Sequence, residues 1–339
     1  TLRQDRRPPN PTASPQAQCS YRLKPFRELV TLKMRTLLSI LVCALSFTSL
    51  VATAALPSWE LAPPLPSPRV CLGVVEAEGD IYAIGGSTMH NRQWTDNDRV
   101  ERFSPRQNTW TRLQKLPTPR GSFGIAAVDG KIYVIGGVCV VEGKEHNLNT
   151  VEVYDIASGT WKSGRPMPTP RQQLCAASVA GRIYVMGGKN AETVVEEYDP
   201  GSDTWCSRSH APFQIRSATA TPAGKHIYVI GGHRYDGKAV LVYDSQSDSW
   251  TRAKDMPTGR TDTSAAFCQG KIFVLGGHGH ISNNEAYDPG SDSWSLCARL
   301  PEARGYHGAA SVNGKIFLIG GALEILKGNE YSSVPVFTP

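Results

Sequence analysis

The chain has 339 residues, of which 40% are hydrophobic and 19% charged, and this composition excludes an intrinsically disordered protein. The formal net charge is +6, but residues 1–54 hold eight Lys/Arg and two Asp/Glu and therefore carry all of the excess. The remaining residues hold 28 charges of each sign, so this body has no positive field with which to bind nucleic acid.

The N-terminal region divides into two parts that we do not expect to join the folded body. Residues 1–33 are rich in Pro and Arg and begin with Thr. We interpret them either as sequence upstream of a true start at Met34 or as a long basic leader. Residues 34–54 are typical of a signal peptide, because an uncharged apolar run ends in the small-x-small pattern Ala52-Thr53-Ala54. Cleavage there and retention as an N-terminal anchor are both open.

Both interpretations place the body outside the cytoplasm, since the basic flank stays inside. We therefore predict a secreted or periplasmic protein with no membrane span in its mature chain. Six cysteines follow residue 54. They either pair in that compartment or serve as small buried side chains, and the absence of a Cys-x-x-Cys pair argues against a zinc ribbon.

Six Gly-Gly pairs and six Trp residues recur through residues 55–339 with shared spacings. The pairs begin at Gly85, Gly136, Gly187, Gly231, Gly276 and Gly320, and the Trp residues are Trp59, Trp110, Trp161, Trp205, Trp250 and Trp294. The interval from each Trp to the next Gly-Gly pair is the same in all six cases, and from Trp110 onward an aromatic residue precedes each Trp at a second constant interval. Repetition at this period indicates a repeat architecture.

Each repeat unit predicts four short strands. In the second unit, a small-residue strand at 124–128 leads through a tight turn at Asp129-Gly130 into a second strand that ends in Gly-Gly. The third strand alternates in polarity and contains Tyr154, and the fourth carries Trp161. We interpret the repeated aromatics as core between neighbouring units and not as a cofactor site.

Gly-Gly, then Tyr, then Trp at this spacing, as in 132–137, Tyr154 and Trp161, resembles the kelch repeat over about residues 57–333. The resemblance implies a β-propeller in which each repeat forms one four-stranded blade. We predict an all-β, six-bladed β-propeller over residues 55–339, with blades at about 68–113, 119–164, 170–208, 215–253, 259–297, and 303–333 plus 57–62.

The two ends of the repeat region predict how the ring closes. The sixth unit contains Gly320-Gly321 and the aromatic Tyr331 but no Trp, whereas Trp59 stands before the first unit. We therefore expect the strand around residues 58–61 to supply the outer strand of the sixth blade, which removes an exposed sheet edge.

The length of the loop between the second and third strands predicts the ligand-binding face. Blades one and two are longer in this loop than blades three to five, around residues 89–98 and 139–148. In a propeller this loop and the blade-to-blade connection emerge on the same face. Loop variation on a constant scaffold is how such folds acquire ligands, so we expect the ligand on that face.

An Arg starts each blade, and five of the six stand at one constant interval after a Trp: Arg69, Arg120, Arg171, Arg260 and Arg304. This ring is either an anion site or a structural ring that bonds the loops between blades. The structural interpretation is favoured, because a residue repeated in every blade serves what every blade shares. Arg216 stands one position further from Trp205, which should turn its side chain to the other face unless a bulge absorbs the shift.

Positions that differ between blades are better candidates for ligand contact. They are the two residues after each Arg, which line the channel mouth in the kelch domains of stress-sensing adaptor proteins, and the residue after each Gly-Gly pair. The candidates that could hydrogen-bond a sugar or a carboxylate are Gln172, Gln173, Lys189, His233, Asp262, His278, Tyr306 and His307.

Two functions from different classes fit these patterns. The first is an extracytoplasmic binding module that presents its loop face to a protein or glycan. The second is an enzyme, because secreted kelch propellers include periplasmic N-acetylneuraminate epimerases, and Asp262, His307 and Tyr306 are the candidate acid and base of such a sugar mutarotase. We expect a monomer without a metal or cofactor, and the sequence leaves the ligand, and the choice between binder and enzyme, open.

Overall fold

The computed structural model describes residues 57–90, 93–233 and 236–339, and the proposed leader therefore lies outside the described residues. The strands are numbered in chain order, beginning with β1 (Ser58–Ala62). Blade one consists of β2 (Gly73–Ala77), β3 (Asp80–Ile84), β6 (Val100–Ser104) and β7 (Thr109–Arg112), with a hairpin of β4 (Ser87–His90) and β5 (Gln93–Asp96) between β3 and β6. Blade two consists of β8 (Gly124–Val128), β9 (Lys131–Ile135), β12 (Val151–Asp155) and β13 (Thr160–Gly164), with a hairpin of β10 (Val138–Val141) and β11 (Lys144–Asn147) between β9 and β12.

The next three blades have four strands and no inserted hairpin among the described residues. Blade three consists of β14 (Cys175–Val179), β15 (Arg182–Met186), β16 (Val195–Asp199) and β17 (Thr204–Arg208). Blade four consists of β18 (Thr219–Ala223), β19 (His226–Ile230), β20 (Val240–Asp244) and β21 (Ser249–Arg252), and blade five of β22 (Ser264–Cys268), β23 (Lys271–Leu275), β24 (Asn284–Asp288) and β25 (Ser293–Cys297).

Blade six combines the two ends of the repeat region. Strands β26 (Gly308–Val312), β27 (Lys315–Ile319) and β28 (Val334–Thr338) are completed by β1, and a 3-10 turn at Ile325–Lys327 lies between β27 and β28. Within this part of the chain, no helix has the length and apolar character needed to cross a membrane.

The predicted six-bladed propeller is confirmed. Each blade is an antiparallel sheet, and the first strands of the six blades neighbour one another in a closed ring, β2–β8–β14–β18–β22–β26. The small residues of these inner strands suit the crowded centre, and the apolar second strands are buried on both faces.

The predicted closure by the N-terminal strand is also confirmed, with one correction. Strand β1 pairs antiparallel with β28, and Trp59 lies opposite Phe337, as Trp161 lies opposite Tyr154 in blade two. The repeat aromatic of blade six is therefore Phe337 and not Tyr331, and its third strand lies beyond residue 333. The interval from the Gly-Gly pair to this aromatic is nearly as long as in blade two, so blade six also carries a long loop.

The six repeat Trp residues join each blade to the one before it. Each indole N–H donates to a backbone carbonyl at a distance of 2.9 to 3.3 Å: Trp59 to Ala298, Trp110 to Pro63, Trp161 to Gln114, Trp205 to Arg165, Trp250 to Ser209 and Trp294 to Lys254. Each ring also packs on the aromatic opposite it, with centroids 4.9 to 5.1 Å apart. These residues form the contacts between blades, as their repetition predicts.

Candidate functional site

The five regularly spaced arginines are buried, none being more than 1% exposed. Four of them form ion pairs with a Glu on the third strand of their own blade: Arg69–Glu101 at 2.6 Å, Arg120–Glu152 at 2.9 Å, Arg171–Glu196 at 2.7 Å and Arg260–Glu285 at 3.0 Å. Arg304 pairs instead with Glu302 at 2.8 Å and lies 4.5 Å from the ring centre of Tyr331. The ring therefore braces the blades, and its guanidinium groups are not exposed to an anion from solvent.

Blade four lacks this buried ion pair. Ile215, which is 3% exposed, takes the place of the Arg, and Leu241 takes the place of the Glu within the same apolar cluster. Arg216 is displaced by one position and is partly buried, and its Nε donates to Gln173 Oε1 at 2.6 Å. The longer spacing from Trp205 thus turns this one arginine out of the buried ring.

Six residues close a hydrogen-bonded ring at the mouth of the channel, and we call them the mouth ring: Cys71, Ser122, Gln173, Ser217, Asp262 and Tyr306. Each backbone N–H donates to the carbonyl of the ring residue one blade before it, at 2.8 to 3.1 Å, so the ring is continuous. All six have φ between 51° and 59°, which is unfavourable for residues other than Gly. The propeller holds every one of them in this strained conformation, and such strain concentrates at functional sites.

A second set of positions lies beside the mouth ring. The residue before each ring member pairs through its backbone with the residue after a Gly-Gly pair, and we call these the rim pairs: Val70–Ser87, Gly121–Val138, Gln172–Lys189, Arg216–His233, Thr261–His278 and Gly305–Ala322. In blade four, the two residues after the Arg, Ser217 and Ala218, are not the two variable positions. These positions are occupied by Arg216 and Ser217, and Ala218 lies one residue beyond them. Arg216 is therefore a site residue that the sequence analysis omitted.

The long loops of blades six, one and two form a wall on one half of this face. Asp96 joins the two hairpins, since its Oδ1 accepts from Ser87 Oγ and its Oδ2 from the backbone N–H of Val140, both at 2.7 Å. The N–H of Met89 donates to Glu330 Oε1 at 2.8 Å, which ties the wall to blade six. Blades three to five have shorter loops, and their described residues form no wall on that side of the mouth.

Three predicted ligand residues lie near the foot of the wall. The Gln172 amide donates to Glu145 Oε2 at 3.1 Å and to Asn147 Oδ1 at 3.0 Å, so it positions the second hairpin. Lys189 Nζ is 3.9 Å from Glu145 Oε2 and is 44% exposed. Gln173 orients Arg216. Of these predicted residues, Lys189 is the most available to a ligand.

Asp262, Tyr306, His233 and His278 come together over blades four to six. His233 Nε2 is 3.9 Å from Asp262 Oδ2, and the Tyr306 hydroxyl shares a 2.9 Å hydrogen bond with His278 Nδ1. Burial raises the pKa of Asp262, although the nearby Ser217 hydroxyl and His233 imidazole oppose that change. A carboxyl beside a Tyr–His pair can donate and accept protons at neighbouring points. In the described ranges, no group of three or more His, Cys, Asp and Glu is placed to hold a metal ion.

His307 is not part of this cluster, although it follows Tyr306 directly. Its ring is 7% exposed and faces the backbone of Leu275 in the neighbouring blade. It occupies the position that Leu72, Phe123 and Leu174 occupy in blades one to three. The ring packs beside Gly276 of blade five, and His307 is also among the residues that line the channel, so the expectation that it contacts a ligand stays a prediction.

The burial of His307 predicts a pH dependence of stability. Burial, reinforced by the positive charge of Arg304, lowers its pKa from 6.5 to about 3. Because the unfolded chain takes up this proton first, His307 should reduce the free energy of unfolding by about 1.4 kcal/mol for each pH unit below 6.5, down to about pH 3. Denaturant unfolding of wild type and His307→Leu between pH 7 and 4 measures this contribution as their difference. A difference independent of pH would contradict it.

A six-bladed β-propeller with a variable rim and a one-sided wall defines a class of scaffold that presents loops to a ligand. Residues 42–232 match the family model described as the KLHDC2/KLHL20/DRC7 Kelch-repeats domain, and residues 216–257 and 259–301 match the Kelch motif. The chain belongs to the kelch-repeat family.

The relatives are larger proteins that contain the same repeats. The chain is 34% identical over 129 residues to an F-box/kelch-repeat protein of Arabidopsis thaliana, covering 38% of this chain and 34% of the relative. It is 32% identical over 145 residues to Kelch repeat and BTB domain-containing protein 12 of Homo sapiens, covering 39% and 23%. The matches thus span about a quarter to a third of the length of these relatives.

A solved structure supports the fold independently. The structure of YjhT superposes with a TM-score of 0.68 at 17% identity, covering 81% of this chain and 96% of that one. At this identity the likeness shows the fold alone. Kelch propellers commonly bind proteins, and that general role applies to this family as a whole.

Proposed function

We propose that this propeller is an extracytoplasmic binding module whose mouth holds an acidic segment of a partner protein, with Arg216 as the anchor. The placement of Arg216 carries the proposal. Five arginines are buried in ion pairs, whereas this one is displaced onto the rim of the open half. A binding role explains why blade four lacks the buried ion pair that its neighbouring blades contain.

The geometry of Arg216 suits a carboxylate. Its Nε is fixed by Gln173, and no partner among the described residues holds its two terminal nitrogens. A guanidinium held in one plane can offer paired donors to a carboxylate, and such charge-assisted bonds are the strong ones. Lys189 and His233 flank it on neighbouring rim positions, and their side chains are 44% and 51% exposed.

The wall offers the apolar part of such an interface. Trp94 lies outside the repeat pattern, on the hairpin of blade one, and it is half-buried. Val141 on the neighbouring hairpin is 53% exposed. Partly exposed aromatic and aliphatic side chains beside a cationic anchor are typical of the residues that dominate binding energy at protein interfaces.

Replacement of Arg216 should abolish selection of acidic peptides. We expect a peptide-display library panned against the wild-type chain to enrich Asp and Glu at one position, and the Arg216→Ala variant to lose that enrichment and to bind the selected peptides about tenfold more weakly or worse. Arg106→Ala, which removes an exposed arginine from the opposite face, is the matched control and should bind as wild type does. Enrichment without acidic residues, or equal binding by Arg216→Ala, would refute the proposal.

The cluster of Asp262, Tyr306 and His278 favours a second candidate, a sugar mutarotase. A cavity of about 230 Å³ lies beside it, between blades four and five, and His233, Thr261 and His278 are among its lining residues. Proton transfer to a sugar hydroxyl and ring oxygen needs only one acid and one base at suitable positions. Asp262 and Tyr306 supply such a pair.

An NMR measurement of anomer exchange tests this candidate. With N-acetylneuraminate or glucose in excess, a mutarotase should accelerate exchange between the α and β anomers, and Asp262→Asn should reduce the acceleration about a hundredfold or more. Arg106→Ala should leave it unchanged. Exchange at the uncatalysed rate for these sugars would remove this candidate and would not affect the binding proposal.

A further inference from the structure

The inner strands enclose a channel of about 550 Å³ that the proposed function does not use. Alternate residues of these strands face it in two tiers. The tier nearer the mouth ring consists of Val74, Ile125, Ala176, Ala220, Ala265 and Ala309, and the lower tier of Glu76, Ala127, Ser178, Pro222, Phe267 and Ser311. Four of the six upper side chains are alanines, so this tier is apolar and leaves space against blades three to six, whereas Glu76, Ser178 and Ser311 make the lower tier polar.

The charged residues along the channel indicate which charge a bound ligand should carry. Glu76 is the one ionisable side chain in the two tiers and lies at the lower mouth. Its Oε1 accepts from the N–H of Gly79 at 2.8 Å, and no cation pairs with it in the part of the chain that the structure describes. The opposite end carries Asp262 in the mouth ring, but it also carries the cationic rim residues Arg216 and Lys189. The lower mouth is therefore the end of the channel that favours a cation over an anion.

The mouth ring determines which end a polar head group would occupy. Its six backbone N–H groups and six carbonyls bond one another, so they offer a ligand no unpaired backbone group. The lower mouth, by contrast, has Glu76, Ser178 and Ser311 at the channel wall and the half-exposed ring of Phe267 beside them. A charged head is better accommodated at this lower mouth, with an apolar tail directed toward the alanine tier.

We propose that the channel binds a linear alkylammonium amphiphile, with its head at Glu76 and its chain between the inner strands. The volume lies within the range of small-molecule sites, roughly 300–1,000 Å³. The inner strands have five residues each, which gives a channel of about 16 Å, long enough for a chain of ten carbons. This site lies on the far side of the mouth ring from Arg216, so the two proposals can fail separately.

Isothermal titration calorimetry with decylammonium, decanol and decanoate tests the proposal on the full chain. Decylammonium should bind with a stoichiometry of one and more tightly than decanol, and decanoate should bind least. Glu76→Gln should weaken decylammonium about fivefold, as expected for a partly exposed ion pair, and remove its advantage over decanol. If decanoate binds as well as decylammonium, the assigned head-group position is wrong.

Variants that fill the channel distinguish binding inside the channel from binding on the outer surface. Ala265→Leu and Ala220→Leu enlarge side chains on two different blades, and each should weaken decylammonium about fiftyfold, because each methylene kept out of the channel forfeits roughly a fourfold factor in affinity. Ala157→Leu adds the same side chain at an exposed turn and should bind as wild type does. Thermal melts establish that the variants fold. Unchanged affinity in both folded channel variants would overturn the proposal.

Discussion

Removal of residues 57–62 from the otherwise unchanged chain is expected to abolish the cooperative unfolding of the propeller. Strand β1 pairs along its whole length with β28, and Trp59 packs 4.9 Å from Phe337 while bonding to blade five. Without it, the sixth blade loses its outer strand and β28 presents an open edge. The expected loss is comparable with the whole stability of a domain, about 5–15 kcal/mol.

Circular dichroism and calorimetric melts measure this effect. The control is Leu61→Ser, which changes a side chain that is 71% exposed in the same strand and should leave the transition nearly unchanged. Together the two variants distinguish the pairing of the strand from the identity of its exposed residues. A deletion variant that melts as wild type does would contradict closure of the ring by β1.

Replacement of Glu196 by Leu is expected to destabilise the propeller by about 3–5 kcal/mol, because it leaves the buried guanidinium of Arg171 without its carboxylate. The two groups are 2.7 Å apart, and their side chains are 0% and 4% exposed. Solvent cannot replace the lost partner at that depth. Urea unfolding of the single variant measures the loss.

The apolar pair in blade four suggests a double variant that should restore the lost stability. Because Ile215 and Leu241 fill the corresponding space there, the double variant Arg171→Met with Glu196→Leu should recover most of the stability that Glu196→Leu loses. Arg171→Met alone leaves the carboxylate unpaired and should be destabilised to a similar degree. If the double variant is no more stable than the singles, the ion pair has a role that an apolar pair cannot fill.

The blade pattern could be predicted from the sequence because every blade packs against its neighbour in the same way. An aromatic and a Trp recur at constant spacing, as Tyr154 and Trp161 do in blade two, since each such pair must contact the preceding blade. The sequence indicates Tyr331 as the aromatic of blade six because Tyr331 lies at the spacing of a short-loop blade, whereas Phe337, which pairs with Trp59, follows a long loop.

The glutamates that pair with the buried arginines can be identified in the sequence from their constant spacing. A Glu stands at the same short interval before the repeat aromatic in four blades: Glu101, Glu152, Glu196 and Glu285. In blade four this position is Leu241, and this is also the blade in which the Arg is displaced. The joint change indicates a buried pair and its apolar replacement, and it points to Arg216 as the exception.

The sequence indicates most mouth-ring positions, but not the hydrogen-bonded closure of the ring or the orientation of His307. Cys71, Ser122 and Gln173 share no side-chain chemistry, because what the ring positions have in common is a backbone conformation. His307 differs from its counterparts in other blades, and the sequence therefore favours it as a ligand residue. Its burial beside the neighbouring blade depends on the direction of its side chain, which the sequence does not specify.

The central claim is that Arg216 holds a partner's carboxylate. A double-mutant cycle between Arg216 and the peptide tests this claim most directly. The affinities of a selected acidic peptide and of its Glu→Gln or Asp→Asn counterpart are measured on wild type and on Arg216→Ala. We predict a coupling of about 1.5–3 kcal/mol, because the peptide's charge should matter only when the guanidinium is present. Equal losses from the peptide substitution on both proteins would contradict the claim and place the carboxylate elsewhere on the propeller.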